Sequence, residues 1–325
     1  MPAWATPAKI EMLPGDHRGM IVVMCRGEIT ADVAARLVAG QFPQWADLPV
    51  VPVGLNGWDN TTFRLGDELS IRLPSAHGYV AQVGKEHRWL PVLARHLPLP
   101  IPEPVAVGRP DEEFPRPWSI YRWIEGEPAC AGRIADPAGF ASDLAGFLAA
   151  LYAIDTSGGP PPGVHSASRG GPLATWDEQT RQSIRLLADD IDAKAATKVW
   201  DTALAGTWEQ APVWVHGDVT ASNLLVSAGA LHAVIDFGCA AVGDPACDLV
   251  MAWTFFAGDS VTAFRRGLHF DDATWARGRG WALWKALITI GIEKEGGGDA
   301  HAAARRFGWR HSPRQIIDFV IADHA

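Results

Sequence analysis

The 325-residue sequence predicts an α+β protein of two lobes, the first built on antiparallel strands with a helix and the second mostly helical. Three observations point there. With 48% hydrophobic residues the chain can bury more than one small core. Between Val50 and Pro74, "VVPVGLNGWDNTTFRLGDELSIRLP" reads as strands punctuated by turns at Asn56-Gly57 and Gly66-Asp67. From Pro137 onward helical patterns dominate and are broken by one block of strands after Ala211.

Residues 1–27 lack sustained periodicity and are set apart as an N-terminal extension. Residues 28–124 form the expected N-lobe and 125–325 the expected C-lobe. In the N-lobe a helical pattern begins near Glu28, with Val33, Leu37, Val38 and Phe42 on its apolar side, and the strands come after it. A second helix is predicted from Tyr79 to Leu97, with Pro91 either kinking it or dividing it in two. "LPLPIPEPVAVGR" returns to extended chain, and "PWSIYRWIEGEP" reads as a strand that ends at Gly126. Beyond it "GFASDLAGFLAALYAI" is helical, Ser157–Pro172 is a Gly/Pro-rich loop, and helices run to about Trp208. The last part is helical to the end, with a break at Gly296–Gly298, and no repeat period is visible.

Composition narrows the function classes. A net charge of −9 argues against a general nucleic-acid binder and suits a neutral or cationic small molecule. The four cysteines, Cys25, Cys130, Cys239 and Cys247, form no C-x-x-C pair, so neither a zinc site nor a disulfide framework is indicated. Apolar runs are too short for a membrane span and no export signal is visible, which predicts a cytoplasmic protein, monomeric or homodimeric, with no membrane partner.

The most informative stretch is "VWVHGDVTASNLLV", Val213–Val226, where a polar, turn-rich centre separates two apolar runs. Leu224–Val226 and Leu231–Ile235, joined by "SAGA", predict a hairpin whose open end brings Asn223 beside Asp236. Asn and Asp oxygens are hard ligands suited to Mg²⁺, an ion usually held by few protein groups, waters and substrate phosphates. Asp218, in the preceding loop, is placed to orient an attacking hydroxyl and take its proton. Together these are the parts of kinase-type phosphoryl transfer.

"HGDVTASN", "IDFG" and the downstream "GDPACDL" resemble, in order and spacing, the motifs of the aminoglycoside phosphotransferase family, small-molecule relatives of the protein kinases. The resemblance covers most of 28–325 and implies a two-lobed protein-kinase-like fold with ATP or GTP between the lobes. It implies that Asp218 is the catalytic base, that Asn223 and Asp236 hold Mg²⁺, and that His216 braces the loop. Asp244 and Asp248 are expected to be structural, with Asp244 before Pro245 capping a helix.

The same resemblance implies the nucleotide-side residues, with two departures. Where kinases carry a strand lysine for the α/β-phosphates, "LSIRLP" offers Arg72, on the face opposite Leu69, Ile71 and Leu73 and with Glu86 as its expected ion-pair partner. The glycine-rich loop is incomplete: "GLNGWDNTTFRL" supplies Gly54 and Gly57, so a hairpin with Asn60 and Thr61 near the phosphates is expected. Tyr121–Glu125 is the expected hinge, with the Arg122 carbonyl and the Ile124 amide reading the purine and Tyr121 behind it.

The acceptor implied is a small-molecule hydroxyl, foremost an aminoglycoside antibiotic, whose modification would confer resistance. Macrolides, choline-like alcohols, homoserine and thioribose are the alternatives, and a kinase-like nucleotide-binding protein without turnover is the reading from another class. Acidic groups at Asp177 and Glu178, at Asp189, Asp190 and Asp192, and at Glu293, Glu295 and Asp299 could attract a polycation. Trp253, Phe255, Phe256, Trp275, Trp281 and Trp284 are expected in the core, although they could floor an acceptor pocket.

Overall fold

The computed structural model describes residues 29–54 and 59–324. By their internal contacts the described residues divide into two units, one up to residue 95 together with 100–125, the other 96–99 together with the residues from 126 on.

The first unit opens with α1 (Ala31–Gln41), started by Thr30, whose hydroxyl accepts from the Val33 amide at 3.3 Å. Its buried Ala34, Leu37 and Val38 pack with strand residues Phe63, Leu65 and Ile71 in one apolar cluster. Strands β1 (Val50–Pro52), β2 (Asn60–Leu65) and β3 (Leu69–Pro74) are followed by α2 (Val80–Leu93), β4 (Pro104–Gly108) and β5 (Trp118–Arg122). The described strands form one antiparallel sheet in the order β1-β2-β3-β5-β4. A turn at Gly66-Asp67 joins β2 to β3, pairing Leu65 with Leu69. Ser70 is buried along with Leu69, Ile71 and Leu73, so both faces of β3 carry buried residues. Helix α2 runs through Pro91 and stops at Leu93, so the proline sits in its last turn instead of dividing two helices.

The second unit continues with β6 (Glu127–Pro128), α3 (Pro137–Tyr152), α4 (Asp177–Leu186), α5 (Ala193–Ala205) and β7 (Val213–Val215). Next come β8 (Leu224–Ser227), β9 (Ala230–Val234), β10 (Ala241–Gly243), α6 (Met251–Thr254) and α7 (Asp259–Leu268). Helices α8 (Asp272–Lys294), α9 (Ala300–Arg306) and α10 (Pro313–Ala322) complete it. Asp136 caps α3 and Pro137 is its first residue, the arrangement that satisfies an amide and presets φ. Helix α3 packs on α7 so closely that a Cβ on Gly267 would meet the Ala145 Cβ at 2.5 Å. Helix α8 is apolar around most of its circumference and lies against α4, α5 and α10, which makes it the axis of the unit.

Strands β8 and β9 form the expected hairpin, with β6 adding to its edge, while β10 pairs antiparallel with β7. The Gly/Pro-rich loop 157–172 is tied to β10: Pro160 O accepts from the Val242 amide at 2.8 Å and Gly170 O from the Asp244 amide at 2.7 Å. All six aromatics from Trp253 to Trp284 named as core candidates are buried. Cys130, Cys239 and Cys247 are free thiols. No helix among the described residues is long and apolar enough to cross a membrane.

Candidate active site

The loop after β7 is built on backbone amides that the sequence leaves unpaired at His216 and Gly217. Both point at one buried carboxylate: Asp248 Oδ2 accepts from the His216 amide at 2.9 Å and Oδ1 from the Gly217 amide at 2.7 Å. The Tyr152 hydroxyl adds a longer contact to Oδ2 at 3.4 Å. Burial pushes the Asp248 carboxyl above its ordinary range, against the pull of His216 and the two amides. Gly217 has φ +82° and a Cβ there would meet Cys239 O at 2.5 Å, so only glycine fits between the flanking segments.

The His216 ring fixes the course of the chain through Asp218. Its Nδ1 accepts from the Asp218 amide at 3.2 Å, which makes Nε2 the protonated nitrogen, and Nε2 donates to Ile235 O at 3.1 Å. One imidazole therefore ties the Asp218 loop to the end of β9. The Asn223 side-chain amide donates to Asp218 O at 3.0 Å and to Oδ2 at 3.4 Å, while Asn223 O accepts from the Ile235 amide at 2.9 Å. Asp236 comes directly after, in the left-handed region at φ 66°, with the Gly238 amide 3.4 Å from Oδ1. Asp218, Asn223 and the residue preceding Asp236 are thus joined by hydrogen bonds across the open end of the hairpin.

Asp218 itself is held by a group absent from the sequence reading: Lys285 of α8 donates to Oδ1 at 2.7 Å. The Asp218 side chain is 27% exposed and that of Lys285 8%. Burial would raise the Asp218 carboxyl, but Lys285, Arg169 and His216 outweigh it and hold it below the ordinary value. A signal for Lys285 exists in the sequence, since "GWALWKALITIG" is apolar around a single cation that a buried helix must pair. Asp244 does cap the turn after it, accepting from the Ala246 amide at 3.0 Å, and it pairs with buried Arg277 at 2.7 Å. Asp248 caps nothing; its carboxylate is spent on the loop.

In the first unit Arg72 Nη1 lies 3.3 and 3.4 Å from the two Glu86 oxygens, with Glu86 only 4% exposed. The Tyr121 hydroxyl also donates to Glu86 Oε2, and the Arg72 guanidinium stacks 5.3 Å from the Tyr121 ring. Burial and the Glu86 charge push the Tyr121 phenol well up, so it remains a donor. Tyr121 is therefore a partner of the Arg72–Glu86 pair. Asn60 and Thr61 begin β2, paired with Pro74 and Leu73, and Thr62 lies opposite Arg72. The Arg122 amide donates to Glu103 O at 2.9 Å and the Trp123 amide to Glu68 O at 2.7 Å, leaving the Arg122 carbonyl and Ile124 amide outside those two bonds. Gly57 lies outside the described residues. Arg72→Lys keeps the charge toward Glu86 but gives up the planar stack on Tyr121, and urea unfolding is expected to register a loss of about 1 kcal/mol.

The sequence profile of the phosphotransferase enzyme family, APH, matches residues 51–281, and the chain belongs to that family. No curated protein sequence matches it. Among solved structures, the GDP and kanamycin complex of APH(2")-IIIa superposes with a TM-score of 0.67 at 19% identity, covering 90% of this chain and 99% of that one. The gentamicin–APH(2")-IIa complex gives 0.59 at 18% identity, covering 89% and 98%. Macrolide 2'-phosphotransferase MphH from Brachybacterium faecium gives 0.54 at 21% identity, covering 85% and 97%. The fold is thus the α+β, kinase-like fold of these phosphotransferases.

Proposed function

We propose that the protein is a Mg²⁺-dependent O-phosphotransferase that moves the γ-phosphoryl group of ATP or GTP to a hydroxyl of a small molecule. The observation that carries this reading is the hydrogen-bonded set of Asp218 and Asn223 with Asp236 at the end of the same hairpin. The donor set suits the ion. Asn223 spends its amide nitrogen on Asp218, which leaves Oδ1 for a cation, and Asp236 supplies a carboxylate. When bound, Mg²⁺ neutralises charge on the phosphates and fixes their geometry.

The chain's own groups do the rest. Arg72, braced by Glu86 and Tyr121, is assigned the donor's α/β-phosphates; Asn60 and Thr61 are assigned the cover over them and Tyr121–Ile124 the base. Asp218 orients the acceptor hydroxyl and takes its proton as the oxygen–phosphorus bond forms and the bond to the leaving β-phosphate oxygen breaks, giving a phosphate monoester and the nucleoside diphosphate. Lys285 fixes one Asp218 oxygen and Asn223 approaches the other, so the carboxylate cannot swing away from the hydroxyl.

The APH(2") neighbours make an aminoglycoside-type antibiotic, whose modification would confer resistance, the first acceptor class to assay, and a macrolide the next. Loss of ATP and of GTP, measured in parallel with and without Mg²⁺ against kanamycin, a macrolide, choline and homoserine, tests the reaction. Nucleotide bound but never turned over would overturn it in favour of a binding protein. Asp236→Asn is expected to raise the Mg²⁺ concentration for half-maximal turnover by about 10-fold or more, since loss of mere hydrogen-bond partners of metal ligands already costs that much.

A further inference from the structure

Besides the neutral Asn223 amide, two cationic side chains act on the Asp218 carboxylate. Lys285 touches it at 2.7 Å, and the Arg169 charge is felt there too. Arg169 is delivered by the loop tied to β10, and its Cβ packs so near Gly217 that a Cβ on that glycine would lie 2.9 Å away. Its guanidinium stacks 4.5 Å from the Trp284 ring and 5.1 Å from Trp281, two side chains of α8 on the same stretch as Lys285. Its Nη1 is buried with no hydrogen-bond partner, and no carboxylate pairs with Arg169 among the described residues. The Arg169 charge acts on Asp218 without a direct ion pair, and its planar fork matches a carboxylate or phosphate.

Six of the eight acidic groups named as candidates for a polycation carry a partner within the fold, while Asp189 and Glu295 are exposed. Asp177 pairs with Arg181 at 2.8 Å, Glu178 with Arg185 at 3.4 Å and Asp190 with Lys294 at 2.5 Å. Asp192 and Asp299 cap α5 and α9, and Glu293 accepts from the Ala300 amide at 3.2 Å. A polyamine reaching Asp218 would bring further positive charge against Arg169 and Lys285.

We propose that Arg169 and Lys285 form an oxyanion subsite beside Asp218 and that the acceptor is an alcohol bearing its own carboxylate or phosphate, such as a sugar acid, in place of a polyamine antibiotic. This rests on the reading of the chain as an O-phosphotransferase. D-gluconate and D-sorbitol, which differ by the carboxylate, serve as probes with kanamycin and inorganic phosphate, added to MgADP-saturated protein and followed by thermal unfolding. Gluconate and phosphate are expected to raise the midpoint while sorbitol and kanamycin at equal concentration leave it in place. Arg169→Gln is expected to weaken gluconate binding by about tenfold or more, the equivalent of one charge-assisted hydrogen bond, and Arg169→Lys, which preserves the charge if the glutamine variant folds poorly, to retain part of it. Stabilisation by kanamycin, equal gluconate shifts in wild type and Arg169→Gln, or no response to gluconate overturns the proposal. A response to phosphate without one to gluconate also overturns it and assigns Arg169 to the transferred phosphoryl group. Mg²⁺-dependent nucleotide hydrolysis that vanishes in Asp218→Ala reports on the phosphotransfer reading separately, so the two can fail independently.

Discussion

Asp218→Asn is expected to lower phosphoryl transfer by about 10²–10⁴-fold, the usual worth of a positioned general base. The substitution is chosen for the contact it leaves in place. Asparagine keeps an oxygen for Lys285, which donates to Asp218 Oδ1 at 2.7 Å and would otherwise be a nearly buried ammonium without a partner. Asp218→Ala removes the base equally but strands that ammonium, so it should lose the same activity and more stability. Steady-state transfer and urea unfolding on both variants separate the two effects. Combining either with Lys285→Met should restore stability without restoring transfer, because the cost of the unpaired charge goes while the base remains absent. A variant Asp218→Asn that retained a tenth of wild-type transfer would remove Asp218 from the mechanism.

Legibility in the sequence tracks contact range. The β8–β9 hairpin is legible because two short apolar runs flank a four-residue turn, and its closure sets Asn223 next to Ile235 with no help from the rest of the chain. Arg72 and Glu86 are legible as a pair because one strand and the helix after it place them. Tyr121 reads from the sequence as standing behind a purine, yet its hydroxyl is drawn to Glu86, a contact 35 residues away that strand periodicity does not encode. Lys285 and Arg169 lie further out of reach. The first meets Asp218 across 67 residues, and the second sits in a Gly/Pro-rich loop whose fixed course depends on the β7–β10 ladder. That ladder is itself hidden, because "AAVG" is short and has a single branched residue, too little to announce a strand.

Asp248→Ala is expected to destabilise the second unit strongly. The side chain is fully buried, and each oxygen takes an amide from consecutive residues of the Asp218 loop. Truncation leaves two buried N–H groups and the Tyr152 hydroxyl short of an acceptor, at about 1–3 kcal/mol for each group left unsatisfied. A loss of about 3 kcal/mol or more in chemical denaturation is the expected result. Asparagine should do little better, since its NH₂ would turn donors toward donors wherever it replaces an oxygen. Activity should fall with stability, because the His216 and Gly217 amides set where the His216 ring sits, and that ring accepts from the Asp218 amide while holding Ile235. The two losses can be told apart at temperatures where the variant is still folded. A lowered kcat there, with nucleotide KM unchanged, would mean that Asp248 aims the base, whereas full activity in the folded fraction would confine Asp248 to holding the fold.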